Sequence, residues 1–258
     1  MRNKVIDAHF HVGYNASFDG GAGIEKCLKI MEDNQIDQAI LAPAAGYATP
    51  NGVADSMAQN DYIAQMLKEY PERFPRGIAV IEPRHGRDTL DEIDRALGEL
   101  GLHGLMLHND FSGVPLDHPI NYEIVERVAK YPDAVMMVHT FGHSSLESPM
   151  QLIRLAQTYP KVKFMDSHAF MTITHTNMSI EVGRMCPNVW FDTGLAHHHL
   201  YCIETAVEKI GEDRILMGSD APYFDYCVDK LMVEKANITE AARRKVLCDN
   251  AEVLFGIK

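Results

Sequence analysis

The sequence predicts an α/β protein, a single-domain (β/α)₈ TIM barrel that spans residues 1–258. The length of 258 residues is close to the largest size that one hydrophobic core fills, roughly 250 to 300 residues. Eight short apolar runs recur along the chain, and a stretch with helical spacing follows each of them. No Ser/Gly-rich linker or block of charge divides the chain, so we expect one domain.

The eight runs predict the barrel strands in chain order. Each is a short, mostly apolar stretch between turn residues, which is typical of a buried parallel strand. An open doubly wound sheet is the alternative architecture, but the loop after the first run lacks the GxGxxG turn that often accompanies it. The predicted strands are 4–12, 37–44, 76–81, 102–108, 134–139, 161–168, 188–194 and 214–220.

The segments between the runs carry signals for the start and end of helices. Thr89 and Glu92 have the spacing of a capping box ahead of an apolar stripe, and Gly101 lies where a left-handed residue would end that helix. Three further helices are expected to end at Tyr-Pro pairs, in "EYPER", "KYPDA" and "TYPKV", because proline cannot continue a helix.

Composition limits the partners and the compartment. The net charge of −12 and the absence of a Lys/Arg-rich stripe argue against nucleic acid and favour a small-molecule substrate. The five cysteines form no CxxC pair, which is typical of reduced thiols in a cytosol. Because no apolar run approaches the roughly 18 residues of a membrane span, we expect a cytoplasmic protein with no membrane partner.

Polar residues end several of the predicted strands, where the functional face of such a barrel lies. In the first strand, strict alternation would place Asp7, His9 and His11 on the inner face, and Ile6, Ala8, Phe10 and Val12 against the helices. We expect Asp7 to orient an imidazole rather than to bind a ligand itself. The other polar strand ends are His108, His139, His168 and Asp220.

Convergence of these side chains predicts a catalytic metal site. A single histidine at a strand end is more often a hydrogen-bonded structural residue, but several buried polar groups on one rim need a common partner. One divalent metal would satisfy them, with zinc favoured by imidazole and carboxylate ligands, and manganese, iron, cobalt or nickel also allowed.

The motifs together resemble the amidohydrolase superfamily, and within it the branch of aminocarboxymuconate-semialdehyde decarboxylase. They are "DAHFH", "VHT", "SH", "MGSDAP" and the closing "DNAEVLFGI", and they cover the whole chain in order. The resemblance implies that His9, His11, His139 and Asp220 bind one metal and that His168 lies beside a metal-bound water. No lysine occurs between Lys68 and Lys130, so the carboxylated lysine of the binuclear relatives is not expected.

We predict from this a metal-dependent hydrolase of a small amide, ester or lactone, with Asp220 and His168 as the catalytic residues. A metal-dependent decarboxylase of an unsaturated or aromatic acid is the alternative, because the same donor set serves both reactions. The loop after the second strand lacks an arginine that would bind a substrate carboxylate, and this lowers the decarboxylase alternative, although Arg84 could serve.

Candidate substrate-binding residues follow the strands in sequence. Which histidine of the His197–His199 triplet faces the pocket is open, and a homo-oligomer is allowed because a second subunit could complete the pocket. The candidates are Tyr14, Tyr47, Arg84, His108, Asn109, His143, His198 and Tyr223.

Overall fold

The strands lie where the apolar runs predict them. The structure is a computed structural model that describes residues 2–16, 19–44, 46, 49–196, 201–224 and 226–257. Its strands in chain order are β1 (Ile6–Asn15), β2 (Gly20–Ala22), β3 (Gln38–Pro43), β4 (Arg76–Gly77), β5 (Ala79–Val80), β6 (Gly104–Leu107), β7 (Val135–His139), β8 (Lys163–Ser167), β9 (Val189–Asp192) and β10 (Ile215–Leu216).

Parallel pairing joins these strands into a closed barrel. β1, β3 and β4 pair in that order, and β5 to β10 pair consecutively. β4 and β5 are parts of one barrel strand, interrupted at Ile78, so the described residues form eight barrel strands, with β2 paired antiparallel to the end of β1. Closure is made beyond β10, where the Ala8 N–H donates to Met217 at 2.9 Å and the Asp220 N–H to His9 at 2.9 Å. The predicted TIM barrel is confirmed.

Helices alternate with the strands as the sequence predicts. Gly101 adopts a φ of 71° in the left-handed region, as predicted. The predicted capping box is wrong, because the backbone of Thr89 is helical rather than extended and its side chain makes no capping hydrogen bond. The Glu92 side chain is buried and bound to Asn60 and Arg95. The helices are α1 (Ile24–Asp33), α2 (Val53–Glu69), α3 (Leu90–Asp94), α4 (Asn109–Ser112), α5 (Pro119–Val128), α6 (Pro149–Thr158), α7 (Ile173–Met185), α8 (Cys202–Ile210), α9 (Tyr226–Lys235), α10 (Glu240–Arg244) and α11 (Asn250–Phe255).

Two apolar clusters form the core. The outer cluster lies between strands and helices, and the inner cluster fills the barrel with residues such as Ile40, Met106 and Met137. Ile6 and Ala8 belong to the inner cluster, so their predicted position against the helices is wrong. The register of β1 against β3 shifts between Asp7 and Phe10, and this bulge breaks the strict alternation on which the prediction rested.

The described chain offers no candidate for a membrane crossing. None of the helices in its described ranges combines the length and the apolar character that a membrane span requires. The five cysteines all lie in these ranges and form no disulfide, four of them buried and Cys227 exposed. The cytoplasmic location and the exclusion of nucleic acid stay predictions.

Candidate metal centre

Three histidines and one aspartate meet at the carboxyl end of the barrel strands. His9 and His11 lie on β1, His139 is the last residue of β7, and Asp220 follows β10. Each offers one donor atom, and these four atoms lie within 4.8 Å of one another. All four side chains are buried. The structure therefore brings together the four residues that the sequence analysis names as metal ligands.

The hydrogen bonds of the three imidazoles leave one nitrogen of each ring for a ligand. Nδ1 of His11 donates to the Pro43 carbonyl at 2.7 Å, and Nδ1 of His139 donates to the Leu107 carbonyl at 3.1 Å. Nε2 of His9 lies 2.9 Å from Nε2 of His11, and the buried Nε2 of His139 has no hydrogen-bond partner among the described residues. Converging lone pairs of this kind fit a divalent metal ion.

Asp220 completes the donor set with a negative charge. Its Oδ1 lies 3.2 Å from His11 Nε2 and 3.5 Å from His9 Nε2. Burial alone would raise the pKa of Asp220, but the imidazoles of His168, His11 and His9 outweigh it and hold the pKa at about 2. Asp220 is therefore ionised in the folded protein.

Both residues predicted to be catalytic lie in strained backbone positions. His168 follows β8 with a φ of 65°, and Asp220 has a φ of 55°. Non-glycine residues in this region cost about 1 to 3 kcal/mol each, and such strain persists where the surrounding structure enforces it. His168 Nε2 lies 3.8 Å from Asp220 Oδ2.

Asp192, the last residue of β9, is a functional residue that the sequence analysis missed. Its Oδ2 lies 2.9 Å from Nδ1 of His9, and its Oδ1 accepts the backbone N–H groups of His168 at 3.1 Å and Gly194 at 2.8 Å. Burial alone would lower the pKa of His9, but the Asp192 carboxylate outweighs it and raises the pKa to about 9. The position of Asp192 at the end of the seventh apolar run was a signal that could have found it.

Asp7 has a different place from the one predicted. Its Oδ1 accepts the backbone N–H groups of His9 at 3.0 Å and Ser219 at 3.1 Å, and its Oδ2 accepts the Ser219 hydroxyl at 2.5 Å. Asp7 therefore ties β1 to the segment before Asp220 instead of orienting an imidazole ring. The bulge in β1 is the physical reason, since it takes Asp7 off the face of His9 and His11.

A cavity of about 340 Å³ opens onto this centre. His139, His168 and Asp220 form one side of it, and Tyr223 packs its ring 5.3 Å from that of His11. The rest of the wall is largely aromatic and aliphatic. These wall residues are Phe111, Phe141, Met171, Leu195 and Phe224.

Four predicted substrate-binding residues lie outside this cavity. Tyr14 is 57% exposed and its hydroxyl donates to Asp19, while His143 is exposed. The Asn109 side chain donates to the Val114 carbonyl at 2.6 Å and so stabilises the α4 turn. Arg84 pairs with Glu82 at 2.7 Å and lines a neighbouring cavity of about 220 Å³. Tyr47 and His198, with the rest of the His197–His199 triplet, lie outside the described residues.

His108 lies on the wall that the two cavities share. Its ring stacks on that of His139, with centroids 4.3 Å apart, and its Nδ1 is 3.2 Å from Oε1 of Glu147. Glu147 is fully buried, and burial raises its pKa to about 9. The sequence analysis missed Glu147, which belongs to the loop before α6 and has no strand-end signal.

The raised pKa of Glu147 predicts a pH-dependent stability. A carboxyl group whose pKa rises from 4.5 to about 9 on folding stabilises the folded protein at low pH, and this stabilisation is lost as the pH rises towards the folded value. In Glu147→Gln no proton titrates at this position. We expect the free energy of unfolding of the wild type to fall relative to that of the variant between about pH 5 and 8.5, by more than about 1.4 kcal/mol, the value of one pKa unit.

Denaturant titrations across that pH range measure this difference. Glu123→Gln, at a surface ion pair with Arg87, is the matched control and should show no comparable trend. A constant difference between wild type and Glu147→Gln would mean that Glu147 is ionised in the folded protein.

The fold and the donor set define a metal-dependent enzyme of the (β/α)₈ class, with its centre at the carboxyl ends of the strands. Residues 6–257 match the Amidohydrolase family. The chain belongs to this family, as a member of the aminocarboxymuconate-semialdehyde decarboxylase branch of the amidohydrolase superfamily. The predicted resemblance is confirmed.

Several known proteins that are similar to this chain are named as decarboxylases. The gamma-resorcylate decarboxylase of Polaromonas sp. (strain JS666 / ATCC BAA-500) is 24% identical, over 90% of this chain and 86% of that protein. The 2-amino-3-carboxymuconate-6-semialdehyde decarboxylase of Dictyostelium discoideum is 33% identical over 52% of this chain and 37% of that protein. A solved structure of dihydroxybenzoic acid decarboxylase from Polaromonas sp. JS666, with bound manganese and the inhibitor 2-nitroresorcinol, has a TM-score of 0.76 at 20% identity, covering 99% of this chain and 98% of that one.

The prediction of a hydrolase is therefore wrong, because these relatives fit the decarboxylase alternative. The donor set could not make the choice, since the same ligands and the same acid–base pair serve hydrolysis and decarboxylation. In the sequence, the missing arginine in the loop after the second strand was the argument that favoured a hydrolase over a decarboxylase. The aromatic wall of the cavity, built by several loops, is what the sequence did not reveal.

Proposed function

We propose that this protein is a metal-dependent decarboxylase of a small aromatic carboxylic acid. The observation that carries the proposal is the cavity of about 340 Å³ whose wall is largely aromatic and aliphatic and which opens onto the donor set. Its size suits a single substituted ring, and apolar walls with a few convergent polar groups are typical of small-ligand sites. The names of the curated relatives support the same reaction.

The walls of the cavity determine how such an acid binds. Phe111, Phe141 and Phe224 contact a planar ring by stacking or edge contacts, which contribute beyond the area they bury. The polar side of the cavity, at His168 and Asp220, receives the carboxyl end of the ring. Binding therefore orients the bond to be broken towards the acid–base pair.

His9, His11, His139 and Asp220 would hold one divalent metal ion. When bound, such an ion supplies a positive charge that neutralises and polarises oxygen atoms of the substrate. Three imidazoles and a carboxylate accept several first-row ions. Zinc is the ion that we propose. Manganese, which is bound in the solved dihydroxybenzoic acid decarboxylase, is the alternative. Metal analysis of the purified protein distinguishes the two ions.

Decarboxylation requires one proton at the reacting carbon. The bond between the ring carbon and the carboxylate breaks, carbon dioxide leaves, and a proton takes its place on the ring carbon with the released electron pair. The proton comes from solvent, and the Asp220–His168 pair, whose Oδ2 and Nε2 lie 3.8 Å apart at the wall of the cavity, relays it to the ring carbon. No water is consumed.

A screen for carbon dioxide tests the proposal. Metal-loaded protein is incubated in D₂O with a panel of hydroxylated benzoic acids, and carbon dioxide and products are measured. We expect carbon dioxide in a one-to-one ratio with an arene that carries one deuterium at the vacated position. Protein stripped of metal with a chelator is the control and should release none.

Two outcomes contradict the proposal. One is the absence of carbon dioxide from every acid in the panel with protein of full metal content. The other is a product that has gained the elements of water without losing carbon. Size-exclusion chromatography of the same sample measures the oligomeric state, for which the sequence allows a homo-oligomer.

A further inference from the structure

Two cavities lie side by side at the carboxyl ends of the barrel strands, and the proposed reaction uses only one of them. The larger cavity, of about 340 Å³, opens onto the donor set, and the smaller one has a volume of about 220 Å³. His108 and Phe111 belong to the walls of both. These two side chains therefore stand between the substrate cavity and unused space beside it.

The smaller cavity lies where the barrel opens between β3 and β5. The pairing of β3 with β4 ends at Leu41 and Gly77. Beyond this point the side chain of Asn60 on α2 replaces β3 as the partner of Val80. Its Oδ1 accepts the Val80 N–H at 2.8 Å, and its Nδ2 donates to the Val80 carbonyl at 3.0 Å. Because these backbone groups are paired, the opening is stable, and residues 80–84 form one wall of the smaller cavity.

The smaller cavity lies on the side of the substrate cavity away from the acid–base pair. As far as the described residues form it, its wall includes none of His139, His168 and Asp220. We therefore expect an acid whose carboxyl group faces the acid–base pair to direct the opposite edge of its ring towards Phe111. That edge is the one from which a larger substrate would extend.

Phe111 lies on α4, which hydrogen bonds to its first residues hold in place. Oε2 of Glu147 accepts the backbone N–H groups of Asn109 at 2.5 Å and Asp110 at 3.0 Å. The Ser144 hydroxyl donates to Oδ1 of Asp110 at 2.5 Å. These bonds join α4 to the loop before α6, and they hold the Phe111 ring at the junction of the two cavities.

Phe111 is the outermost of three rings that lead away from the metal centre. The ring centroids of His139 and His108 are 4.3 Å apart, and those of His108 and Phe111 are 4.1 Å apart. His108 thus lies against a proposed metal ligand, whereas the His108 ring separates Phe111 from that ligand. A substitution of Phe111 therefore changes the partition and leaves the proposed metal ligands in place.

We propose that Phe111 sets the size of the acid that this site accepts. In the wild type its ring separates the two cavities and limits the substrate to one substituted ring. A small side chain at this position leaves space that the close-packed surroundings fill only in part, so the two cavities join and admit an acid with a second, fused ring. The inference rests on the proposed function, because it defines the substrate class of the same cavity.

Two acids that differ by one fused ring test this role. 2-Hydroxybenzoate and 3-hydroxy-2-naphthoate carry the same adjacent carboxyl and hydroxyl groups, and the second ring of the naphthoate extends from the edge away from both groups. Phe111→Ala removes the aromatic ring, and Phe111→Leu replaces it with a smaller side chain. Phe141→Ala is the matched control, because Phe141 belongs, among the described residues, to the wall of the larger cavity only.

Dissociation constants of both acids are determined by calorimetry for the metal-loaded wild type and the three variants. We expect the wild type to bind 2-hydroxybenzoate about tenfold more tightly than the naphthoate, at the lower end of the roughly 10- to 200-fold discrimination that apolar pockets achieve by size. Phe111→Ala should bind the naphthoate at least as tightly as 2-hydroxybenzoate, because the second ring then buries apolar surface in the smaller cavity. Phe111→Leu should reduce the wild-type preference to about threefold, since it opens the partition only in part. Phe141→Ala should weaken the binding of both acids by loss of an aromatic contact and keep the preference within about twofold of the wild type.

Two results would overturn the inference. One is a preference in Phe111→Ala equal to that of the wild type, and the other is a preference that Phe141→Ala loses as fully as Phe111→Ala does. Thermal melting and metal content identify a variant that does not fold, and if Phe111→Ala fails in this way, Phe111→Leu decides. Carbon dioxide release is recorded separately. A shifted preference without any decarboxylation contradicts the proposed function alone, and decarboxylation with an unshifted preference contradicts the inference alone.

Discussion

Asp220→Asn should lower kcat/KM for decarboxylation by about 10³, within the range of 10² to 10⁴ that general acid–base groups contribute. The substitution should not distort the backbone, because asparagine tolerates the left-handed conformation that Asp220 adopts with a φ of 55°. It removes the negative charge and the carboxylate oxygen that faces His168 Nε2 at 3.8 Å. The shape of the side chain is nearly unchanged.

Two effects contribute to the loss of activity in Asp220→Asn, and each can be measured separately. Asp220 also contributes a donor atom to the metal set, so the variant should bind the metal more weakly. Activity is therefore compared at saturating metal, where the remaining deficit reports on proton transfer. Asp133→Asn, on a side chain that is 97% exposed, is the matched control. Activity of Asp220→Asn within tenfold of the wild type at equal metal content would exclude Asp220 as the acid–base group.

The fold was predictable because each barrel strand carries its own signal. Runs such as 134–139 and 161–168 are apolar over the length of one strand and end in a polar residue, and β7 and β8 occupy them. The bulge in β1 was not predictable, since it arises from pairing with β3 and not from the composition of β1. One such irregularity was enough to place Ile6 and Ala8 inside the barrel.

The candidate site was predictable in part, for a related reason. His9, His11, His139 and Asp220 are strand-end residues, and closure of a barrel brings strand ends together. Glu147 is different, because its contact with His108 depends on how the loop before α6 packs on α4. Loop packing of this kind has no periodic signal. The aromatic cavity that favours a decarboxylase is built from such loops as well.

Asp192 shows how a strand-end carboxylate can act on the metal through a neighbouring histidine. Its Oδ2 lies 2.9 Å from His9 Nδ1, which leaves Nε2 of His9 directed at the other donor atoms. A carboxylate in this position fixes the tautomer and the orientation of a ligating imidazole, and loss of such a partner typically weakens metal binding 10- to 100-fold. We therefore expect substitution of Asp192 to lower the affinity of the site for its metal.

Asp192→Asn should weaken metal binding by about 100-fold, at the upper end of that range. Oδ1 of Asp192 accepts the N–H groups of His168 and Gly194, so the amide oxygen of asparagine must take that side and its NH₂ group must face His9 Nδ1. His9 would then accept at Nδ1 and carry its proton at Nε2, where the metal needs a lone pair. Asp192→Ala imposes no tautomer on His9, and it should bind the metal more tightly than Asp192→Asn does.

Competition with a chelator measures the metal dissociation constant of both variants, and the spectrum of the cobalt-substituted protein reports on its coordination. Thermal melting without metal shows whether either change disturbs the fold, which matters most for Asp192→Ala because it leaves the His168 and Gly194 N–H groups without their acceptor. If Asp192→Asn bound the metal as tightly as the wild type, Asp192 would serve only those two N–H groups. In that case the metal itself would set the tautomer of His9. The order of the metal affinities of Asp192→Asn and Asp192→Ala therefore shows whether Asp192 sets this tautomer or serves only the two N–H groups.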